Sequence, residues 1–184
     1  LAADGVKITG AGMWYTKLQF TNSGMGSGGI CGEKTGYCQG VEFCNMYINS
    51  NLHSRFDQQA NYKCFRDLFA KGTSIHDVWE EHFECGFWFG DYNGKIDYCD
   101  GVKVVNSRIR NNLADGVNFC QGTSNAVVYN CSVRNNGDDG LAMWNDQTMG
   151  AKDEVNNVFA YNTIDLGWRA GLLAIYGGQG HKVY

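Results

Sequence analysis

The chain has 184 residues, a length typical of one domain, with 25 glycines, no proline and a net charge of −4. Charged residues make up only 18% of the chain and form no cluster of Lys and Arg, which argues against a nucleic-acid partner. No apolar run reaches the roughly 18 residues of a membrane-spanning segment, so we expect no membrane partner either.

The composition predicts many short strands joined by tight turns. Glycine and asparagine are abundant and proline, which would remove hydrogen bonds from a sheet, is absent. Few stretches avoid Gly, Asn and β-branched residues, so long helices are not expected. The chain opens mid-pattern with LAADGVKITG and closes mid-pattern with AIYGGQGHKVY, without a signal peptide, a starting Met or a cap. We therefore expect a segment of a longer domain.

Eight cysteines are many for a chain of this length. Cys31 with Cys38, or Cys44 with Cys64, could form disulfides in a secreted protein. Buried thiols that pack as small apolar side chains are the alternative.

Internal repeats run through the chain. In chain order, DGVKITG (4–10) opens like DGVKVVN (100–106), GVEFCNMYINSN (40–51) matches GVKVVNSRIRNN (101–112) at an offset of 61, and EHFECGFWFG (81–90) matches NNLADGVNFC (111–120) at an offset of 30. VNSRIRNNLADGVNF (105–119) matches YNCSVRNNGDDGLAM (129–143) at an offset of 24. YNTIDLGWRAGLLAIY (161–176) continues the series, with Gly171 near the position of Gly140. There are about six copies in all.

Apolar residues alternate with a period of two within each copy, as in Val102 and Val104, which indicates strands. Copies of two or three strands stacked at about 4.8 Å form a parallel β-helix, in which no copy buries its apolar face alone. We therefore predict an all-β fold in which residues 1–184 form one parallel β-helix segment. The asparagines expected to stack at one corner are Asn45, Asn106, Asn130 and Asn162. A leucine-rich repeat is the competing fold, but its L-x-x-L-x-L frame is missing.

Two copies carry acidic residues at equivalent positions. Asp115 and Asp139 would lie one copy apart, roughly 5 Å between backbones, with Asp138 beside Asp139. Two unrelated Asp-Gly turns are one interpretation. Stacked carboxylates repel each other, however, so their concentration suggests a metal site or acid–base chemistry. Glycoside hydrolysis uses carboxylates in this way, one to protonate the leaving oxygen and another to activate water.

The apolar alternation constrains where these aspartates can point. The residues expected to face the core are Phe87, Val117 and Leu141, with Phe89, Phe119 and Met143. Strict alternation would also turn Asp115 and Asp139 inward, at a prohibitive cost for carboxylates. We infer that the turns at Gly116 and Gly140 reset the alternation.

The motif ADG at 114–116, followed by GDDG at 137–140, resembles the catalytic pattern of right-handed β-helix glycosidases. Polygalacturonases carry Asn-Thr-Asp at the first of these two motifs, where this chain has Leu113-Ala114-Asp115. The chain also lacks their Gly-His-Gly and Arg-Ile-Lys motifs. It is more similar to glycoside hydrolase family 87, the bacterial α-1,3-glucanases (mutanases) and mycodextranases, over most of residues 72–176. Dextranases of family 49 are a related alternative.

The resemblance implies a secreted, extracellular, inverting endo-hydrolase of α-1,3-glucosidic bonds, folded as a right-handed β-helix. Carried over by position, Asp138 would be the general acid, while Asp115 and Asp139 would orient and deprotonate the water. Asp138 and Asp139 could exchange roles. The family domain is longer than this chain, so other segments of the same protein are expected to complete the cleft. The partner is expected to be an α-glucan, bound by a monomer that requires no cofactor.

Candidate sugar-binding residues flank the aspartates. Trp88, Asn118, Ala142 and Leu173 share one outward register, so Trp88 and Asn118 could face the cleft. Trp144 follows the second acidic copy, Arg169 aligns near Asp138 in the next copy, and Glu84 occupies the Ala114 position in the preceding one. Core packing for the aromatic residues and a surface salt bridge for Arg169 are the alternatives.

The histidines predict no metal site. His53, His76, His82 and His181 have no metal-binding spacing, and HDVWEEH (76–82) lacks the i, i+4 spacing of a helical zinc site. The acidic segment DYNGKIDYCD (91–100) is a candidate structural calcium loop, although its Gly94 is misplaced for an EF-hand.

Two other functions fit a β-helix. A non-catalytic adhesin or carbohydrate-binding segment would share the repeats without needing three neighbouring carboxylates. A polysaccharide lyase would need calcium and a Lys or Arg base on the same face.

Overall fold

The computed structural model describes residues 3–22, 24–25, 28–32, 38–53, 62–90 and 98–184. Within these ranges the chain is all-β, as predicted, with one 3₁₀ turn at Gln147–Met149 as the helical element. The described residues therefore contain no helix of the length and apolarity needed to span a bilayer.

The strands form two parallel sheets. The larger sheet contains β1 (Lys7–Thr9), β2 (Lys17–Gln19), β4 (Glu42–Asn49), β6 (Ser74–Glu81), β8 (Lys103–Val105), β9 (Arg108–Arg110), β11 (Val127–Tyr129), β12 (Ser132–Arg134), β14 (Val158–Ala160), β15 (Thr163–Asp165) and β17 (Lys182–Val183). The smaller sheet contains β3 (Ile30–Cys31), β5 (Phe65–Asp67), β7 (Phe87–Phe89), β10 (Val117–Cys120), β13 (Leu141–Trp144) and β16 (Leu173–Tyr176).

Each repeat contributes two neighbouring stretches to the larger sheet and one strand to the smaller sheet. Strands β8, β9 and β10 pair in parallel with β11, β12 and β13, and these pair with β14, β15 and β16. The predicted offset of 24 is confirmed, because Val117 pairs with Leu141. The offset of 30 is confirmed by the pairing of Phe87 with Val117. The offset of 61 spans two steps, since Glu42 and Lys103 both pair with Ser74.

The core is built from alternate side chains of these strands. The residues predicted to face inward, Phe87, Phe89, Val117, Phe119, Leu141 and Met143, are all fully buried. Phe65 stacks on Phe87 with ring centroids 4.9 Å apart and planes 1° from parallel. Burying one such ring contributes about 1.5–3 kcal/mol, so the stack of aromatic residues fixes the register of the smaller sheet.

The predicted asparagine stack is confirmed in part. Asn130 Nδ2 donates to Asn106 Oδ1 at 2.9 Å, and Asn45 has the same left-handed backbone, with φ of 61°. Asn162 is not in this stack. Strands β12 and β15 pair at an offset of 31, so Tyr161, with φ of 56°, takes the position next to Asn130.

The register of the last repeat corrects a second prediction. Ala174, and not Leu173, pairs with Ala142 on the outward side. Leu173 pairs with Leu141 and packs against the core. The turn before β16 is one residue longer than the turn before β13, which moves the whole strand by one position.

All eight cysteines are thiols, so neither predicted disulfide forms. Cys64 and Cys38 belong to the hydrophobic core, whereas Cys44 and Cys31 do not. The partners in each predicted pair therefore lie on different sides of the sheets. Most of the candidate calcium loop, residues 91–97, lies outside the described residues.

Candidate active site

The three aspartates meet where two neighbouring turns enter the smaller sheet. Asp115 precedes β10, and Asp138 and Asp139 precede β13. The backbone amide of Asp139 donates to Asp115 Oδ1 at 3.1 Å, and Gly116 N–H donates to the carbonyl of Asp139 at 3.0 Å. One carboxylate oxygen from each aspartate lies within 4.8 Å of the others.

The turn at Gly116 resets the alternation, as inferred. Val117 points into the core, but Asp115 Oδ2 accepts a 2.9 Å hydrogen bond from Asn118, which lies on the outward side. A Cβ on Gly116 would lie only 2.5 Å from the carbonyl oxygen of Gly140. Glycine is therefore required where the backbones of the two turns cross.

The local environment separates the carboxylates. Asp115 and Asp139 are buried, whereas the Asp138 side chain is 31% exposed. Burial raises the pKa of Asp115; hydrogen bonds from Asn118 and from the Asp139 amide oppose that rise, and the charge of Asp139 adds to it. Asp115 therefore holds a proton more readily than an ordinary surface aspartate.

Arg169 supplies a positive charge at the trio. Its guanidinium forms an ion pair with Asp138, and its Nε donates to the carbonyl of Gly137 at 3.1 Å. The predicted proximity of Arg169 to Asp138 is confirmed. This cation, provided by the chain itself, offsets the repulsion among three neighbouring carboxylates.

Asp139 is held by the following repeat. Its Oδ1 accepts a 2.8 Å hydrogen bond from the amide of Gly171, and its side chain is also bonded to the hydroxyl of Tyr176. The negative charge of Asp139, followed by this hydrogen bond, raises the pKa of Tyr176. Tyr176 therefore stays a neutral donor toward the carboxylate.

An open cleft lies at the ends of β13 and β16, and Tyr176 is the lining residue that interacts with Asp139. It has a volume of about 520 Å³ and is lined by Trp144, Asn145, Asp146, Gln147, Tyr176, Gly177 and Gly178. Trp144 and Tyr176 are direct neighbours across β13 and β16. Aromatic and amide side chains beside carboxylates are suited to binding a sugar.

The remaining candidate residues lie on β7 and just before it, in the preceding repeat. Trp88 pairs with Asn118, and its ring centroid is 6.4 Å from that of Trp144. Lys63 Nζ lies 4.9 Å from the Trp88 ring centroid and 2.9 Å from Glu84 Oε2. Trp88 and Glu84 therefore share one charged and aromatic cluster.

Asn118 has a different position from the predicted one. It is only 7% exposed, and it donates to Asp115 while its Oδ1 faces the thiol of Cys120 at 3.1 Å. Asn118 is therefore a buried hydrogen-bond donor to the Asp115 carboxylate and does not line the open cleft. The structure adds Lys63 and Tyr176, which sequence reasoning missed, to the site.

The family model for α-1,3-glucanase catalytic domain D2 matches residues 1–184. The chain belongs to this family. The catalytic domain of Agl-KA is 53% identical, with a TM-score of 0.86 over 98% of this chain and 31% of that one. The resemblance to glycoside hydrolase family 87 is confirmed.

More distant solved structures share the fold. A family 87 α-1,3-glucanase catalytic domain, solved as a variant with tetrasaccharides, is 24% identical with a TM-score of 0.70, over 98% of this chain and 30% of that one. The catalytic unit of the Streptomyces thermodiastaticus enzyme is 24% identical with a TM-score of 0.71, over 99% of this chain and 31% of that one. This chain thus spans about a third of their length. No curated protein sequence matches it.

Proposed function

We propose that the chain is the catalytic portion of a secreted, extracellular, endo-acting α-1,3-glucanase. It is a single segment of a right-handed parallel β-helix, completed by other segments of the same protein. The enzyme acts as a monomer on α-1,3-glucan or its oligosaccharides, without nucleic-acid or membrane partners. It needs no cofactor for hydrolysis, and a structural calcium ion would bind in the 91–100 loop. Family membership and the stacked parallel strands support this proposal.

The observation that carries the proposal is the meeting of Asp115, Asp138 and Asp139 in one cluster. Three carboxylates offer oxygens within 4.8 Å of one another, and Tyr176 joins Asp139 to the cleft wall. Such an arrangement does not help folding, because like charges repel. It does provide the acid and base that glycosidic hydrolysis requires.

The proposed roles follow from exposure and contacts. Asp138, the most exposed of the three, protonates the glycosidic oxygen, while Asp115 and Asp139 hold and deprotonate the attacking water. The ion pair with Arg169 favours the ionised form of Asp138. We therefore expect a bound glucan to draw Arg169 onto a sugar hydroxyl, which frees Asp138 to carry its proton.

Inversion is the proposed stereochemistry, and the family resemblance supports it. Acid and base carboxyl groups lie about 6.5–9.5 Å apart in inverting enzymes and about 5 Å apart in retaining enzymes. One oxygen of each aspartate lies within 4.8 Å of the others, so we expect the carboxylates to separate around the water if the enzyme inverts. Proton NMR of the anomer first released decides between the two outcomes.

The proposed substrate contacts are aromatic and charged. Trp144 and Tyr176 would stack on glucose rings in the cleft, and Trp88 with Glu84 would bind the neighbouring part of the glucan. Solved family 87 relatives bind nigerose and tetrasaccharides. An α-1,3-linked glucan is therefore the substrate to test first.

A substrate panel tests the function. Purified full-length protein is expected to release reducing sugar from α-1,3-glucan, with oligosaccharides of mixed length that indicate endo action, and without an unsaturated product. Release from dextran or polygalacturonate alone would indicate the dextranase-like or polygalacturonase-like alternative. An unsaturated product would indicate a lyase, and binding to glucan without release would indicate an adhesin. Any of these three results overturns the proposal.

A further inference from the structure

A second cluster of metal-ligating side chains lies on strands that carry none of the three aspartates. Glu42 and Cys44 are two residues apart on β4 and share its outward side, while Phe43 between them packs in the core. His76 on β6 pairs directly with Cys44. One ligand atom from each of Glu42, Cys44 and His76 lies within 4.8 Å of the others.

We propose that Glu42, Cys44 and His76 bind Zn²⁺ or a similar thiophilic divalent cation. Tetrahedral zinc, with bonds of about 2.3 Å to sulfur and about 2.1 Å to nitrogen and oxygen, separates sulfur from oxygen by about 3.6 Å and nitrogen from oxygen by about 3.4 Å. The Sγ of Cys44 lies 3.7 Å from Glu42 Oε1, and His76 Nε2 lies 3.2 Å from the same oxygen. Both distances to Glu42 Oε1 therefore fit the edges of a zinc tetrahedron, and the three ligand atoms all lie within 4.8 Å of one another.

The carboxylate of Asp77 orients the imidazole ring of His76. Its Nδ1 lies 2.7 Å from Asp77 Oδ2, on the far side of the ring from Glu42. A carboxylate that accepts the Nδ1 proton leaves Nε2 with its lone pair directed at the metal, an arrangement typical of zinc-bound histidines. Without a cation, that lone pair would face the Glu42 carboxylate unless the ring were doubly protonated.

The remaining coordination position faces solvent. Lys7 Nζ now contacts Glu42 Oε1 at 2.9 Å, but its side chain is 58% exposed and can withdraw when a cation binds. Cys44 is 1% exposed, whereas the Glu42 and His76 side chains are 35% and 26% exposed. A cation would enter past Glu42 and His76 and keep one water ligand.

Bound zinc would join β4 to β6, and so one repeat to the next. The ligands are held by paired strands, so little conformational freedom is lost on binding. The role assigned is structural, because the site shares no residue with the aspartate trio and its ligands lie on two paired strands. The inference does not depend on the proposed function, and it is tested by binding and stability.

Cobalt and zinc titrations of the metal-stripped, reduced full-length protein test the site. We expect one equivalent of Co²⁺ to produce a thiolate-to-metal charge-transfer band, and Zn²⁺ to displace it stoichiometrically. Saturating Zn²⁺ should raise the Tm by several degrees, because a ligand that binds only the folded state stabilises it.

Variants assign the ligands. Cys44→Ser and His76→Asn are expected to abolish the charge-transfer band and the zinc-dependent rise in Tm, and Asp77→Asn to weaken zinc binding by about 10–100-fold. His82→Asn and Cys31→Ser are the matched controls, since neither residue belongs to the cluster, and both should bind like the parent protein.

Two results overturn the proposal. One is the absence of saturable Co²⁺ or Zn²⁺ binding in the parent protein, in which case His76 only forms hydrogen bonds with Glu42 and Asp77. The other is binding that Cys44→Ser and His76→Asn leave intact. Because the first measurement needs no variant, a folding defect in a variant cannot obscure the outcome.

Discussion

Asn118 illustrates how a single side chain controls the proposed chemistry. Asp115 is buried, and burial raises its pKa by penalising the ionised form. The 2.9 Å hydrogen bond from Asn118 favours the ionised form and counteracts that effect. If Asp115 deprotonates water, this hydrogen bond extends activity toward lower pH.

Substitution Asn118→Ala tests this control. Loss of the donor should raise the pKa of Asp115 further, so the acidic limb of the kcat/KM profile should move to higher pH while the alkaline limb stays in place. Activity should therefore fall most on the acidic side. Asn125→Ala, which removes an exposed amide bonded to Asp100, is the matched control and should leave the profile unchanged. An unmoved acidic limb in Asn118→Ala would show that Asp115 does not act in its ionised form.

The sequence predicted the residues of the site unevenly. The aspartate trio could be found because Asp115 and Asp139 occupy equivalent positions of a strong repeat, and the pairing at an offset of 24 brings them together. Lys63 and Tyr176 could not be found in this way. Lys63 lies before β5, in a stretch where no repeat was recognised, and its contacts with Trp88 and Glu84 depend on side-chain conformations that repeat matching does not describe.

At the level of elements, left-handed residues make the corners between strands. Asn106 and Asn130 have φ of 50° and 52°, and their side chains are joined by a 2.9 Å hydrogen bond. Asparagine tolerates this left-handed backbone better than most residues because its short side-chain amide can form hydrogen bonds with nearby groups. Each corner therefore combines a favourable backbone choice with a bond between repeats.

Substitutions at Asn130 separate these two contributions. Asn130→Ala loses the side-chain hydrogen bond to Asn106 and places a Cβ in the left-handed region. We expect the strained backbone to lower the free energy of unfolding by about 1–2 kcal/mol beyond the loss of the hydrogen bond. Asn130→Gly loses the same hydrogen bond but adopts the left-handed backbone without strain. Urea unfolding should rank the glycine variant above the alanine variant in stability. Equal stabilities would show that the corner backbone is not strained by a Cβ.

The two errors in the predicted strand register also arise at the level of the elements. Strands β12 and β15 pair at an offset of 31, but β13 and β16 pair at 32, so one extra residue enters the turn that contains Arg169. An offset of 32 applied before the turn misplaces Asn162, and an offset of 31 applied after the turn misplaces Leu173. Single-residue insertions in turns leave little trace in a weak repeat, which is why the sequence alone placed these two residues wrongly.

At the level of the whole molecule, buried acids link stability to pH. Glu154 is fully buried, and Asn157 Nδ2 donates to its Oε1 at 2.7 Å. Burial raises the pKa of Glu154 from 4.5 to about 9. Glu80 is also buried, and burial raises its pKa as well. The folded protein therefore holds protons that the unfolded chain releases, so the contribution of Glu154 to stability is fully present below about pH 4.5 and declines as pH rises toward 9.

Replacing Glu154 with Gln should remove its share of that decline. Gln keeps an oxygen for Asn157 and carries no charge, so Glu154→Gln should have a higher Tm than the parent at pH 8 and a similar Tm near pH 4.5. Asp153→Asn, the neighbouring acid, should change the pH dependence little. An equal Tm difference between Glu154→Gln and the parent at both pH values would contradict the link between this buried acid and stability.

The central claim is that three carboxylates from neighbouring repeats form one hydrolytic centre. The most direct measurement is the initial rate of reducing-sugar release from α-1,3-glucan by full-length Asp115→Asn, Asp138→Asn and Asp139→Asn, compared with Asp165→Asn, whose aspartate faces Arg134 outside the trio. Each trio variant is expected to lose about 10²–10⁴-fold in kcat while keeping the parent's Tm within a few degrees, and Asp165→Asn should retain the parent's rate. Parent-like rates in any of the three trio variants would contradict the claim.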